Sequence, residues 1–384
     1  MNVPKLRFKE FNDEWITYKF YDLVSIINGQ VDPNKKEYCN LPHIGPGNIE
    51  KETGRLLEYN LAKDDKLISS KYLFNEKSVI YGKINPHFAK VCYPKFVGLC
   101  SADAYPINPI EEKLTSTFLL YLLLNPKFTK FATSVSMRTG MPKINRDELG
   151  IYKFTIPKIN EQIKIGKTLE LLDKKIELQS KKIEDLKLFK KGLHDKLFNE
   201  VTGNDYLLSD IAVFENGKGH ENIIDENGKY ILINSKFIST EGNITKKCSE
   251  QLTPLFKNDI TMVMSDLPNG KALAKCYYID ENNKYSLNQR ICKIKIKDDS
   301  IINSKYLFYL LDRNPYYLRF DDGVNQTNLK KDDILSLNLV LPSIKDQERN
   351  SKTLTIIDNF IEKENNKLSK LNLLKKGLMQ SMFV

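Results

Sequence analysis

The end of this chain repeats its middle, and no other feature limits its fold as much. Residues 157–198 align without a gap with residues 342–383 at a constant offset of 185, and 17 of the 42 paired positions are identical. The shared positions include Lys190-Lys191-Gly192-Leu193 and Lys375-Lys376-Gly377-Leu378. The chain is therefore two copies of one plan, each a globular segment followed by a long helix. Such a monomer can do what a homodimer does, but with two different halves.

Both repeats lack proline beyond their first residue and are rich in Leu, Ile, Lys and Glu, which predicts long helices. In the first, a heptad frame runs Leu169, Leu172, Ile176, Gln179, Ile183, Leu186, Lys190, Leu193 and Leu197. In the second it runs Leu354, Ile357, Ile361, Glu364, Leu368, Leu371, Lys375, Leu378 and Met382. Seven of nine positions are apolar in each, and the polar breaks fall at equivalent places, as in a coiled-coil seam with specificity residues. A parallel pairing in equal register would face Lys190 with Lys375. An antiparallel register that opposes Lys190 to Glu364 and Lys375 to Gln179 matches both breaks, and an unpaired buried charge is costly. That antiparallel register, with pseudo-two-fold symmetry, is the expectation.

The globular segments resemble each other more faintly. YKFYDLVSIING at 18–29 aligns with YLLSDIAVFENG at 206–217. Each segment reads as a short opening helix, several short strands, one apolar helix, a polar loop and a closing strand. The strand candidates are 78–83, 89–93 and 104–107, then 230–233, 260–264, 274–279 and 292–296. The fold class is α+β, without the βαβ rhythm of a nucleotide fold, and no Gly-x-Gly-x-x-Gly or Walker loop is present.

Net charge is +10, distributed as +6 over residues 1–159, +3 over 160–198, −2 over 199–342 and +3 over 343–384. A polyanionic partner suits the first half, while the second globular segment would need a local basic patch. The six cysteines form no Cys-x-x-Cys pair and the four histidines do not cluster with them, which argues against a metal site or a disulfide framework. There is no apolar run long enough to span a bilayer, and the N-terminus lacks the apolar core of a signal peptide, so a cytoplasmic location is expected.

Loops rich in Gly, Asn, Lys and Arg recur at comparable places. The first segment offers Lys83, Asn85 and His87, then Arg138, Thr139 and Lys143. The second offers Lys271, Arg290, Asn325, Gln326 and Lys330. Arg, Asn and Gln can bond base edges in two places at once, and Lys and Thr suit phosphates. These are the candidate DNA-binding residues; the same composition also occurs in ordinary solvated loops. Asn314-Pro315-Tyr316-Tyr317 lacks the second proline of an adenine-methyltransferase motif, and a helix cap explains it, as it does Asn125-Pro126. No catalytic arrangement recurs in the two halves.

With the duplication in hand, the chain resembles a type I restriction–modification specificity subunit over its full length. The resemblance rests on the order domain–helix–domain–helix and on the opening Pro4-Lys5-Leu6-Arg7-Phe8 with Trp15. It rests also on Pro157, Glu161, Gln162 and Pro342, Asp346, Gln347 at the helix starts, and on Lys-Lys-Gly-Leu near the helix ends. It implies target recognition domains at 1–156 and 201–341 and helical regions at 157–200 and 342–384. Each domain would read one half of a bipartite double-stranded DNA site, and the coiled coil would set the spacer and dock two modification (methyltransferase) subunits. S-adenosylmethionine would belong to those partners, and ATP and Mg to the restriction subunits, leaving this chain non-catalytic. A coiled-coil adaptor without DNA specificity, or a fused restriction–methylation enzyme, are the alternatives.

Overall fold

The computed structural model describes residues 3–137, 140–268 and 270–384. It is mixed α and β, with two long helices, Ile159–Asn199 and Ile344–Ser381. The chain divides into two compact units, and the division cuts both helices. One unit is Met1–Lys182 with Glu364–Val384, and the other is Ile183–Lys363. Each unit thus holds one globular segment, the near part of one long helix and the far part of the other.

In the first unit a four-stranded antiparallel sheet runs in the order Val24–Ile26, Ala104–Pro109, Val79–Gly82, Val91–Cys92. The second unit repeats that order with Ala212–Asn216, Ile291–Ile296, Ile260–Val263, Cys276–Tyr278. A three-stranded sheet accompanies each, and there the copies differ. Tyr72–Phe74 pairs with Gly98–Cys100 in the first, whereas Lys247–Cys248 pairs with Tyr230–Ile233 in the second. The opening segments, expected to be helical, begin as strands followed by a single helical turn. Ile16–Lys19 pairs with Lys153–Ile156, and Asn204–Leu207 with Asn338–Leu341. Ile16, Thr17 and Tyr18 in the first, and Tyr206 in the second, suit a strand pairing that only the far end of the segment supplies.

The apolar helix of each unit, Ser116–Leu124 and Ser304–Leu311, lies in the main core. One conserved plan fixes both to the long helices. The Gln162 side chain is fully buried; its Oε1 accepts from the Thr115 N–H (3.1 Å), and its Nε2 donates to Lys113 O and Pro157 O. Gln347 repeats this with the Asn303 N–H (2.9 Å), Ile301 O and Pro342 O. Each glutamine thus satisfies an amide just before an apolar helix, where no intrahelical partner exists. The far end of each helix closes the same core. Phe383 stacks on Phe118 (5.2 Å between centroids), and Phe198 stacks on Tyr306 (4.8 Å). Arg7 forms a two-pronged ion pair with Glu161, both contacts at 2.8 Å, which ties the opening Pro-Lys-Leu-Arg-Phe to the first long helix.

The long helices run antiparallel, but in a different register from the one the polar breaks suggest. Lys190 pairs with Asp358 (2.5 Å), not Glu364, and Lys375 pairs with Asp173 (2.6 Å), not Gln179. Both acids lie six residues before the expected partner. Gln179 and Glu364, which are equivalent positions, meet each other (Nε2 to Oε2, 2.5 Å), and Lys182 Nζ completes the carboxylate at 2.6 Å. The expectation paired seam positions only with seam positions. A lysine stem is long enough to lie along the seam and carry its charge to an acid on the flank.

That flanking acid also receives a globular domain. Tyr121 donates its hydroxyl to Asp173 (2.8 Å), and Tyr309 donates to Asp358 (2.7 Å). Burial and the adjoining carboxylate hold both phenols well above their ordinary pKa, so they remain donors. The Tyr–Asp–Lys cluster is the same in both units.

Two outcomes follow. Lys190→Asp combined with Asp358→Lys should recover part of the roughly 1 kcal/mol expected to be lost in either single variant, measured by urea unfolding. Lys190→Glu combined with Glu364→Lys should recover none. Lys182 and Gln179 also lower the Glu364 pKa from 4.5 to about 2. Its contribution is then complete above pH 4.5 and lost as pH falls toward 2. The melting temperature of wild type should drop more steeply over that window than that of Glu364→Gln.

Candidate nucleic-acid interface

In each unit the candidate loops are gathered by backbone pairing beyond the end of the third strand of the four-stranded sheet, Val79–Gly82 or Ile260–Val263. In the first, the chain leaving Val79–Gly82 carries Lys83, Asn85 and His87. The loop before the helix Arg146–Ile151 carries Lys143. An isolated antiparallel bridge joins Ile84 to Lys143, and the Asn85 N–H donates to Pro142 O (2.8 Å). Asn85 sits in the left-handed region (φ 50°), a conformation that Asn tolerates better than most residues. Lys83 Nζ and the Arg146 guanidinium both lie 5.2 Å from the Tyr105 ring centroid. Arg146, which the loop composition did not single out, also donates to Ile26 O and Ile27 O. His87 and Lys143 are exposed. Arg138 and Thr139 lie outside the described residues.

The second unit builds the same junction more fully. Ser265–Asp266 pairs antiparallel with Thr327–Asn328, and the Gln326 Nε2 donates to Ser265 Oγ (2.6 Å). The Met264 N–H donates to Arg290 O (3.0 Å), which brings in Arg290, itself left-handed at φ 66°. Lys330 precedes the short helix Lys331–Leu335, where its N–H donates to Asp333. Lys271, Arg290, Asn325, Gln326 and Lys330 are all exposed. The backbone junction therefore joins the segments that carry Lys83, Asn85 and Lys143 in one unit and Arg290, Gln326 and Lys330 in the other, while His87, Lys271 and Asn325 lie on the adjoining chain.

Acidic residues shape these loops. Asp266 Oδ1 accepts from the Leu267 N–H (2.9 Å), while Oδ2 accepts from the N–H groups of Ala272 (2.7 Å) and Leu273 (3.1 Å). Gly270 is required beside it, because a Cβ there would come within 2.1 Å of Asp266 Oδ2. Asp322 accepts from the N–H groups of Val324 and Asn325, and from the Asn325 side chain. These bonds hold its carboxyl below the usual range. The net −2 of this segment is thus felt at the junction too, where Lys271, Arg290, Lys330 and Lys331 share the loops with Asp266, Asp321, Asp322, Asp332 and Asp333, and Asp266, Asp321, Asp322 and Asp333 accept from backbone N–H groups. Sequence reading missed Asp266, whose role depends on amides six and seven residues away.

The two Asn-Pro pairs are caps. Asn125 Oδ1 accepts from the Lys127 N–H and Asn314 Oδ1 from the Tyr316 N–H, each at 2.9 Å. Among the described residues no group of His, Cys, Asp and Glu is arranged to hold a metal ion. Among the same residues no helix is long and apolar enough to cross a membrane.

The two units thus repeat one α+β domain followed by a long helix, each with a backbone junction that gathers polar and charged loop residues. The family model described as type I restriction modification DNA specificity domain matches twice, over residues 12–188 and 203–373, and the chain belongs to that family. It is a type I restriction–modification specificity subunit. It is 34% identical over 160 residues to the EcoDI specificity subunit of Escherichia coli, a match covering 42% of this chain and 35% of that one. It is 22% identical to the putative MjaX specificity subunit of Methanocaldococcus jannaschii, covering 98% and 95%. The solved S subunit of a type I system from M. genitalium shares the fold, with a TM-score of 0.65 at 17% identity and coverage of 100% and 99%. A chain from a type I restriction–modification assembly gives 0.58 at 14% identity, covering 97% and 98%.

Replacing Asp266 with Ala should free three amides. Hydrogen exchange across 265–273 should accelerate at least about tenfold, since each lost bond is worth roughly 1 kcal/mol, while exchange in the core strand Ile291–Ile296 stays unchanged.

Proposed function

We propose that each globular domain reads one half of a bipartite, asymmetric DNA site, and that the chain itself performs no chemistry. The observation that carries this is the loop edge just described, built twice by the same backbone junction from different side chains. Duplicated scaffolds with divergent edges suit two unlike half-sites. Base-bonding residues at the edge would supply specificity and the lysines would supply phosphate contacts.

The helices would fix the nonspecific spacer. A continuous helix of 41 residues rises about 60 Å and is stiff on that scale. They would also dock two modification subunits. Leu171, Leu178, Leu373 and Leu374 in the first unit, and Leu188, Phe189, Ile356 and Phe360 in the second, are apolar yet exposed on the helices, as surfaces awaiting a protein partner are. S-adenosylmethionine would be held by those subunits. ATP and Mg would be held by restriction subunits that join them.

Purified alone, the chain should leave DNA unmethylated. With the modification subunit added, adenine methylation should appear at one bipartite sequence. Binding should weaken with salt, and Lys330→Ala should reduce the slope of log affinity against log salt by about one. Methylation by the chain alone would support the fused-enzyme reading. No DNA effect with any partner would support the adaptor.

A further inference from the structure

Single exposed apolar side chains are ordinary on a protein surface, but here they are not scattered. Among the described residues outside the two long helices, six large apolar side chains are at least 66% exposed: Ile68, Met137, Met141, Ile151, Leu267 and Val324. Four of these six lie on the loops that form the two candidate DNA edges. Leu267 is the most firmly placed. Its N–H is held by Asp266 Oδ1, its carbonyl accepts from the Gly270 N–H (2.9 Å), and the strand pair Ser265–Asp266 with Thr327–Asn328 anchors the loop. Its side chain is nevertheless 69% exposed.

We infer that Leu267 is a specificity-determining residue that reads a thymine by packing against its C5 methyl group. This rests on the proposed DNA-reading role of the same edge. The surroundings select a base edge over a protein partner. Lys271, Arg290, Gln326 and Lys330 border the loop with side chains able to bond base edges and phosphates, alongside the Asp266, Asp321 and Asp322 carboxylates, which accept from backbone N–H groups. Arg and Gln side chains are suited to bond base edges, and the methyl of thymine is the one apolar group a major groove presents beside them. A leucine held on a preformed turn loses little freedom on contact, so burying the methyl is not offset by ordering the loop.

The test uses the full chain with its modification subunit and a duplex of the methylated sequence mapped in a host. Deoxyuridine replaces thymidine at each position in turn, which deletes only the methyl. At one position, in one half-site, wild type should lose affinity about fourfold, the worth of one buried methyl. Leu267→Ala should bind the unmodified duplex about fourfold more weakly and show no further loss at that position. The inference is overturned if no thymine position is sensitive, if the variant loses as much as wild type at every position, or if Leu267→Ala abolishes binding. Failure to find any bipartite methylated sequence would instead overturn the DNA-reading role itself.

Discussion

The structure depends on one carboxylate used twice. Asp173 and Asp358 each collect a lysine from the antiparallel long helix and a tyrosine hydroxyl from an apolar domain helix. Three segments far apart in sequence therefore share a single charge. In the first unit, Lys375 also donates to Thr53 O, so the lysine that closes the helix pair reaches a domain loop as well. A purely apolar seam would tolerate sliding by a heptad. A charge that must meet a lysine and a phenol at once does not.

This also explains why two such different globular segments share closely related helices. The helix must supply the same glutamine for the domain's amide, the same aspartate for its tyrosine and the same terminal phenylalanine for its core. Those demands are fixed by the scaffold. The loop edges carry no such obligation. They need only the backbone junction, formed by Ile84 with Lys143 in one copy and by Ser265–Asp266 with Thr327–Asn328 in the other.

Duplication within one chain has a further physical use at the middle of the helices. Gln179 and Glu364 occupy equivalent positions and contact each other. In a true homodimer those positions would be identical, giving an amide pair without the charge or two carboxylates in repulsion. Divergence allows one carboxylate to take an amide donor and the lysine Lys182, which is why its pKa falls so far.

The sequence by itself determined the duplication, the two long helices, the antiparallel pairing and the loops from which the candidate residues come. Those follow from periodicity and composition, which are local properties. The register was decided only in the tertiary structure, because the partners of Lys190 and Lys375 are flanking acids whose positions are also set by Tyr309 and Tyr121. The opening segments were read as helices because strand pairing with residues some 130 positions away leaves no local mark. The roles of Asp266 and Gln162 were likewise decided by backbone amides that sequence does not display. Side-chain pattern fixes which elements form; the unpaired amides and charges at their ends fix where they stop and against what.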